Sequence, residues 1–190
     1  MKIFTCKLLP LASLLAAMVG TSTLQAQTFT LHSADIAPGQ TIAKPFVYNG
    51  FGCTGGNMSP ALTWSNPPKG TKSLAITVHD PDAPNGDAGF WHWIVLDLPA
   101  QTTQIDRGVG GVGGKNLPKG ARQIATDFGS PGWGGPCPPT GDKPHRYEFT
   151  VYALRVAQVT LPAKTKTFAA VDAIKASALA KASFTALYGR

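Results

Sequence analysis

After its N-terminal end, the chain lacks any apolar run long enough to cross a lipid bilayer. A membrane-spanning helix needs about 20 consecutive apolar residues. Glycine, proline or charged residues interrupt every apolar stretch that follows residue 26. We therefore expect no stable membrane insertion of this part of the chain.

The first 26 residues are typical of a cleavable export signal. Lys2 and Lys7 supply positive charge, residues 8–19 are mostly apolar, and Ala26 precedes a plausible cleavage point. A membrane anchor is the alternative, but the apolar run is shorter than a membrane span. The sequence predicts a signal peptide at 1–26 and one domain at 27–190, located in the periplasm or secreted.

Clustered positive charge is missing as well. Residues 27–190 contain 15 basic and 10 acidic residues, a formal charge of +5, with the basic residues scattered along the chain. Nucleic-acid binding usually requires a basic patch, so no nucleic-acid partner is expected. The mild positive charge is compatible with attraction of small anions.

Cysteine is scarce, and only Cys53 and Cys137 remain after removal of the signal. A pair of cysteines in an oxidising compartment predicts a disulfide between them. Two buried thiols are the alternative. Metal binding is not expected, because neither cysteine belongs to a C-x-x-C motif.

The composition of the domain is typical of an all-β protein. Short apolar runs are separated by glycine- and proline-rich turns, which favours a sandwich or barrel over βαβ units. The predicted strands are 29–33, 61–64, 73–79, 91–98 and 146–154. Residues 168–187 are rich in alanine and have helical spacing of apolar residues, so a C-terminal helix is predicted there.

A long glycine-rich segment, residues 101–144, shows little hydrophobic periodicity. Within it, residues 108–113 match the pattern G-x-G-x-x-G. No helix pattern follows the match, so it does not indicate a nucleotide cofactor. The segment is interpreted as a flexible loop, and loops of this length are often functional.

Three short segments at strand ends concentrate chemically active residues: Asp80-Pro81-Asp82-Ala83-Pro84, Phe90-Trp91-His92-Trp93, and Gly134-Gly135-Pro136-Cys137-Pro138-Pro139 with His145-Arg146-Tyr147. Strand alternation places His92 opposite Trp91 and Trp93, and places His145 and Tyr147 on one face. Taken singly, each segment could be a rigid turn, a core histidine or an ordinary loop. Their joint position at strand ends suggests a common site.

Together these segments resemble the two signature regions of the phosphatidylethanolamine-binding, or Raf kinase inhibitor-like, family. Residues 57–64 and 117–121 resemble its bacterial Raf kinase inhibitor-like branch, and the similarity runs from about residue 29 to 190. The resemblance implies a mainly β fold, an antiparallel β-sandwich with short helices and a C-terminal helix. It also implies a pocket for small anions such as phosphate groups.

By position, the resemblance assigns to this pocket the ligand-binding residues Asp80, Asp82, His92, Pro138, His145 and Tyr147. Imidazole N–H and phenol O–H groups can donate hydrogen bonds to phosphate oxygens. Asp80 is expected to orient a histidine or to hold a proton itself. Residues 84–89 form a shorter segment than in eukaryotic members, so a pocket tyrosine found there has no counterpart.

A non-catalytic binding protein for a small phosphate-bearing ligand is the leading functional hypothesis. The alternative is an inhibitor or modulator of another protein, such as a protease or a signalling partner. A hydrolase that uses His92, His145 and Asp80 is disfavoured, because no G-x-S-x-G motif or other nucleophile signal occurs. We expect no enzyme activity, cofactor or bound metal. A homodimer is compatible with the resemblance.

Overall fold

The computed structural model describes residues 1–2, 27–86 and 88–190. The predicted signal segment lies outside these residues except for its first two, so that prediction stays open. The strands, numbered in chain order, are β1 (Thr30–His32), β2 (Asn49–Gly50), β3 (Cys53–Thr54), β4 (Leu62–Ser65), β5 (Ser73–Asp80), β6 (Phe90–Pro99), β7 (Gln104–Ile105), β8 (Arg122–Gln123), β9 (His145–Leu154) and β10 (Ala178–Tyr188). Within these residues, the α-helix α1 (Thr167–Ser177) precedes β10, and a short 3₁₀ turn spans Lys44–Phe46.

The centre of the fold is an antiparallel sheet of five strands in the order β10-β9-β5-β6-β8. Alternate residues of β5 enter two different cores: Leu74, Ile76 and Val78 pack on one face and Ala75 on the other. The first core is shared with the three-stranded sheet β1-β4-β7, and the second is covered by α1. The predicted mainly β, layered architecture is confirmed.

The C-terminal prediction is only half right. A helix was predicted over 168–187, but α1 ends at Ser177 and Ala178–Tyr188 form a strand on β9. Alanine tolerates both states, and tertiary packing decides between them. Ala182, Phe184 and Ala186 alternate into the first core, and Phe184 stacks on Phe149 with ring centroids 4.9 Å apart. The strand also pairs backbone groups of β9 that a helix would leave open.

The glycine-rich segment 101–144, which was predicted to be a flexible loop, contains regular structure and packs against the core. It contains β7 and β8, and it is packed closely at Gly110. The Gly110 amide donates to the Ser59 hydroxyl at 2.8 Å, and the Trp133 amide donates to the Gly110 carbonyl at 2.7 Å. A Cβ atom at this position would lie 2.5 Å from Cζ2 of Trp93, so only glycine fits. Gly110 of the G-x-G-x-x-G match is therefore required for close packing against Trp93 and Ser59.

A disulfide joins Cys53 of β3 to Cys137, with Cα atoms 6.0 Å apart and 84 residues between them in sequence. It fastens the segment around Cys137 to the β2–β3 hairpin, as the cysteine count predicted. In the described residues, no helix has both the length and the apolar character needed to cross a membrane.

Removal of the disulfide should lower the free energy of unfolding by about 2–4 kcal/mol, because closing a long loop restricts the unfolded chain. Urea unfolding of the wild type with and without a reductant, and of the Cys53→Ala/Cys137→Ala double variant, measures this. The reductant should leave the double variant unchanged. Equal stability of the oxidised wild type and the variant would contradict the expectation.

Candidate functional site

The three predicted segments meet because β5 ends where its two neighbours begin. β5 runs antiparallel to both β6 and β9, so its C-terminal end lies beside their N-terminal ends. This pairing places Asp80 directly across from Phe90 and brings His145 and Tyr147 to the same edge of the sheet. The predicted alternation on β9 is confirmed, since His145 and Tyr147 are buried and Arg146 between them is exposed.

A bulge in β6 determines where His92 points. Val78 pairs with Trp93 and the next residue, His79, pairs with Trp91, so His92 is an extra residue in the ladder. Its ring packs edge-on against Tyr147, in the core that also holds Trp93. The prediction that His92 faces away from both tryptophans is therefore wrong for Trp93. Bulges commonly re-aim a side chain in this way.

Asp80 is held by two hydrogen bonds at the end of β5. Its Oδ1 accepts from the Asp82 amide at 2.9 Å, and its Oδ2 accepts from Nδ1 of His145 at 2.8 Å. Nε2 of the same histidine lies 3.4 Å from Oδ2 of Asp142. Asp80 thus holds the ring of His145 in a fixed orientation.

Asp82 links the end of β5 to the beginning of β9. It lies outside the cavity that the other five predicted site residues line, described below. Its carboxylate accepts from Nε and Nη2 of Arg146 at 2.9 and 2.7 Å and from the Arg146 amide at 2.8 Å. The hydrogen bonds from Arg146 lower the pKa of Asp82 to about 2. Such a bidentate pair fixes geometry, and here it sets the spacing of the two strand ends.

His92 is buried, with 4% of its surface exposed. Its Nδ1 lies 2.7 Å from the Gly134 carbonyl oxygen. A carbonyl only accepts hydrogen bonds, so Nδ1 carries the proton of the ring. Burial lowers the pKa of His92 to about 4 despite this bond and the nearby Asp80 charge, and the ring is therefore neutral at pH 7.

The Tyr147 hydroxyl is a buried polar group without a hydrogen-bond partner among the described residues. The Asp80 carboxylate lies near this hydroxyl without forming a hydrogen bond of good geometry. Burial raises the pKa of Tyr147, and the charge and weak contact of Asp80 raise it further. The hydroxyl therefore keeps its proton at any physiological pH. An unpaired buried donor costs about 1–3 kcal/mol, so this group is poised to bind an acceptor.

These side chains line a cavity of about 500 Å³. Five of the six predicted site residues are in its wall: Asp80, His92, Pro138, His145 and Tyr147. The remaining wall residues were not predicted from the sequence: Phe51, Ala83, Pro84, Asn85, Phe90, Asp127, Phe128, Cys137 and Pro139. Of these, Phe90 could have been found from its i, i+2 spacing to His92.

Phe128 is the centre of an aromatic wall on one side of the cavity. Its ring meets Phe90 edge-on at 4.9 Å and His92 at 5.4 Å, and it stacks on Tyr48 at 4.7 Å. A Cβ at Gly134 would overlap the Phe128 ring, so this glycine makes room for it. No local sequence pattern indicates Phe128, because a loop carries it into the wall.

Arg190 hydrogen-bonds two separate segments at the rim of the cavity. Its Nε donates to the Pro138 carbonyl at 2.6 Å and its Nη2 to the Phe51 carbonyl at 3.2 Å. Pro138 and Phe51 both line the cavity, and Phe51 is 75% exposed. Arg190 therefore places a positive charge near the mouth, a contribution that the sequence analysis missed.

Comparison with known proteins gives a consistent picture. Residues 32–189 match the family model described as phosphatidylethanolamine-binding protein. The chain is 44% identical over 168 residues to the UPF0098 protein YbcL of Escherichia coli K12, covering 88% of this chain and 91% of YbcL. It is 40% identical over 158 residues to YbhB of the same organism, covering 83% of this chain and 98% of YbhB.

The crystal structure of Escherichia coli YbcL, described as a new member of the mammalian PEBP family, superposes with a TM-score of 0.82. The superposition covers 85% of this chain and 98% of YbcL. LppC of Mycobacterium tuberculosis, named as a candidate lipoprotein, is 40% identical over 131 residues, covering 66% of this chain and 60% of LppC.

The free energy of unfolding should decrease at acidic pH, partly because the unfolded chain takes up a proton on His92 more readily than the folded protein does. Its pKa is about 4 in the folded protein against 6.5 in the unfolded chain, so between these values the unfolded chain binds more protons. Lowering the pH through this window should therefore reduce the free energy of unfolding by up to about 3 kcal/mol. Urea unfolding at pH 7 and pH 4.5 measures the loss, and His92→Gln should lose less. An equal loss in the variant would show that other groups are responsible.

Proposed function

The chain belongs to the phosphatidylethanolamine-binding protein family, and on that premise we propose that it is a non-catalytic binding protein for a small phosphate-bearing ligand. The ligand would occupy the cavity at the shared ends of β5, β6 and β9. The observation that carries the proposal is the Tyr147 hydroxyl, a buried donor with no partner in the described residues. A phosphate oxygen would satisfy it with a charge-assisted hydrogen bond.

The size and walls of the cavity support a small-molecule ligand. Its volume of about 500 Å³ lies within the usual range for small-molecule pockets, about 300–1,000 Å³. Prolines 84, 138 and 139 restrict the backbone of its wall, and the disulfide at Cys137 fastens it. A wall that is already formed loses little conformational entropy on binding.

Charge near the site supports an anion. The Asp80 carboxylate accepts hydrogen bonds from His145 and from the Asp82 amide. Arg190 adds positive charge at the rim, where it bonds Pro138 and Phe51. A cation at the rim favours the approach of an anion.

The wall supports binding more than catalysis. Among the residues that the structure describes, the cavity wall includes no serine, threonine or lysine, and the sulfur of Cys137 is part of the disulfide. A covalent mechanism needs an activated nucleophile, and the wall leaves histidine, tyrosine and carboxylate groups for that role. Nδ1 of His92 donates to the Gly134 carbonyl, and burial keeps the proton on Tyr147. Asp80 is engaged with His145 and Asp127 accepts from the Trp91 amide, so both carboxylates already have structural partners.

We also propose that the chain is exported and that export leaves Gln27 as the first residue. The disulfide, typical of oxidising compartments, and the similarity to LppC support this. Intact-mass measurement of the protein from a periplasmic or extracellular fraction should give residues 27–190 with one disulfide. A full-length chain in the cytosolic fraction would contradict export.

Thermal unfolding of residues 27–190 titrated with phosphoethanolamine and inorganic phosphate tests the binding function. A saturable rise in melting temperature is expected, corresponding to about 2.7 kcal/mol at a hundred times the dissociation constant. Tyr147→Phe should weaken binding about ten- to a hundredfold, since hydrogen bonds to charged groups contribute about 1.5–3 kcal/mol. The variant should fold at least as stably as the wild type, because it removes an unpaired buried group.

Tyr152→Phe is the matched control, because Tyr152 lies on the same strand but packs in the core under α1. It should leave the ligand-induced shift intact. Sodium chloride at equal ionic strength controls for salt effects. No shift beyond that of chloride would sink the binding function, and a shift equal in wild type and Tyr147→Phe would place binding elsewhere.

A further inference from the structure

Two asparagine–glycine pairs occur in the chain, Asn49-Gly50 and Asn85-Gly86. Asparagine is a chemically labile residue. A following glycine favours its deamidation, because glycine has no Cβ to hinder the approach of its amide nitrogen to the asparagine side chain. The structure places the two pairs in different settings, and of the two asparagines Asn85 lines the cavity.

Asn49-Gly50 is held in regular structure. Together the two residues form β2, and Gly50 pairs with Cys53 of β3, whose sulfur is part of the disulfide. The Tyr48 ring covers this glycine, since a Cβ at Gly50 would lie 2.8 Å from Cε1 of Tyr48. A reaction between Asn49 and Gly50 therefore requires local opening of the hairpin, which costs free energy.

Asn85-Gly86 lies in the turn between β5 and β6, outside the named strands. Both residues are exposed, and Gly86 has a left-handed φ of 62°. Apart from its chain neighbours, no atom of the described residues lies within 4 Å of the position that a Cβ at Gly86 would occupy. Nδ2 of Asn85 donates to the Gly89 carbonyl oxygen at 3.1 Å, a bond that crosses the turn. A reaction here needs rearrangement of an exposed turn and leaves the sheet intact.

The turn is connected to the cavity through Gly89. This glycine is buried against the end of β5, because a Cβ there would overlap the Asp80 carbonyl oxygen. An aspartate at position 85 would turn a carboxylate oxygen toward the Gly89 carbonyl in place of the amide donor, and two acceptors repel each other. It would also add a negative charge to a wall that already contains Asp80 and Asp127.

We propose that Asn85 is a site of spontaneous deamidation in the folded protein, and that its conversion lowers the affinity of the cavity for anions. The Gly86 amide nitrogen attacks Cγ of Asn85 and forms the new N–C bond of a succinimide. The bond between Cγ and Nδ2 breaks, and Nδ2 leaves as ammonia with the proton from the Gly86 amide. Water then opens the ring at either carbonyl carbon and gives aspartate or isoaspartate. One water is consumed and one ammonia is released, with no oxidation or reduction.

Peptide mapping of residues 27–190 during incubation at mildly alkaline pH tests the modification. Mass spectrometry and isoaspartate-specific methylation measure conversion at positions 49 and 85 over time. In the folded protein Asn85 should react at least about fivefold faster than Asn49, because the hairpin must open before Asn49 reacts. In urea with a reductant the two rates should be nearly equal, because both asparagines then precede an unrestrained glycine.

Asn85→Gln should remove the reaction at position 85, because the longer side chain closes a ring much more slowly. Two results would overturn the modification site. One is conversion of Asn49 as fast as that of Asn85 in the folded protein, and the other is conversion of Asn85 in urea alone.

The loss of affinity rests on the proposed binding function and is tested by calorimetric titration with phosphoethanolamine and inorganic phosphate. Asn85→Asp should bind about three- to tenfold more weakly than the fresh wild type, with a smaller difference at high salt. The aged wild type should show the same weakening without any substitution. Asn49→Asp is the matched control, because it makes the same change of charge at an exposed asparagine outside the cavity wall.

The outcomes separate the modification from the binding function. Equal affinity of Asn85→Asp and Asn49→Asp would overturn the effect on affinity and leave the modification site in place. No binding of either compound by the fresh wild type would refute the binding function, and with it the effect on affinity. The peptide map decides in every case whether Asn85 deamidates in the folded protein.

Discussion

The antiparallel pairing of β5 with both β6 and β9 is the constraint on which the rest of the structure depends. Because strand polarity reverses at each pairing, the end of β5 and the beginnings of its neighbours occupy one edge of the sheet. Asp80, His92, His145 and Tyr147 are therefore brought together without any need for a long connecting loop. Just beyond the ladder, the ion pair between Asp82 and Arg146 links the segment after β5 to the beginning of β9.

Stability and chemistry are divided between the two faces of this sheet. The face under α1 is apolar, with Ile94, Leu154 and Ile174 fully buried. The other face contains an apolar core away from the edge and, at the edge, groups whose hydrogen-bonding capacity is incompletely used. His92 and Tyr147 are buried at an energetic cost that a purely structural role would not require. Functional sites commonly show such local departures from good packing.

Much of this arrangement could be predicted from sequence because it follows from local rules. Period-2 alternation correctly separated His145 and Tyr147 from Arg146, and turn residues marked the main strands. The position of three segments at strand ends indicated a common site, and the resemblance to a family selected from them the five residues that line the cavity. Each of these conclusions depends on residues that are close in sequence or on a pattern spanning the whole domain.

The features that escaped prediction depend on contacts between distant segments. The strand after α1 is stabilised by stacking of Phe184 on Phe149 and by backbone pairing with β9. Neither contact can be recognised in the alanine-rich sequence itself. Phe128 enters the wall only where Gly134 leaves space. Arg190 reaches the rim from the far end of the chain. The orientation of His92 depends on a bulge whose position is visible only in the pairing with β5.

That bulge also decides which residue of β6 is free of the register at this end of the sheet. Trp91 and Trp93 pair with consecutive residues of β5, as neighbours in a regular ladder would. His92 therefore lies outside the pairing between Val78 and Asp80, and its Nδ1 bond to the Gly134 carbonyl links the bulge to the segment that precedes Cys137. The residue that β6 contributes to the cavity wall beside Tyr147 is thus one that the pairing of this stretch does not use.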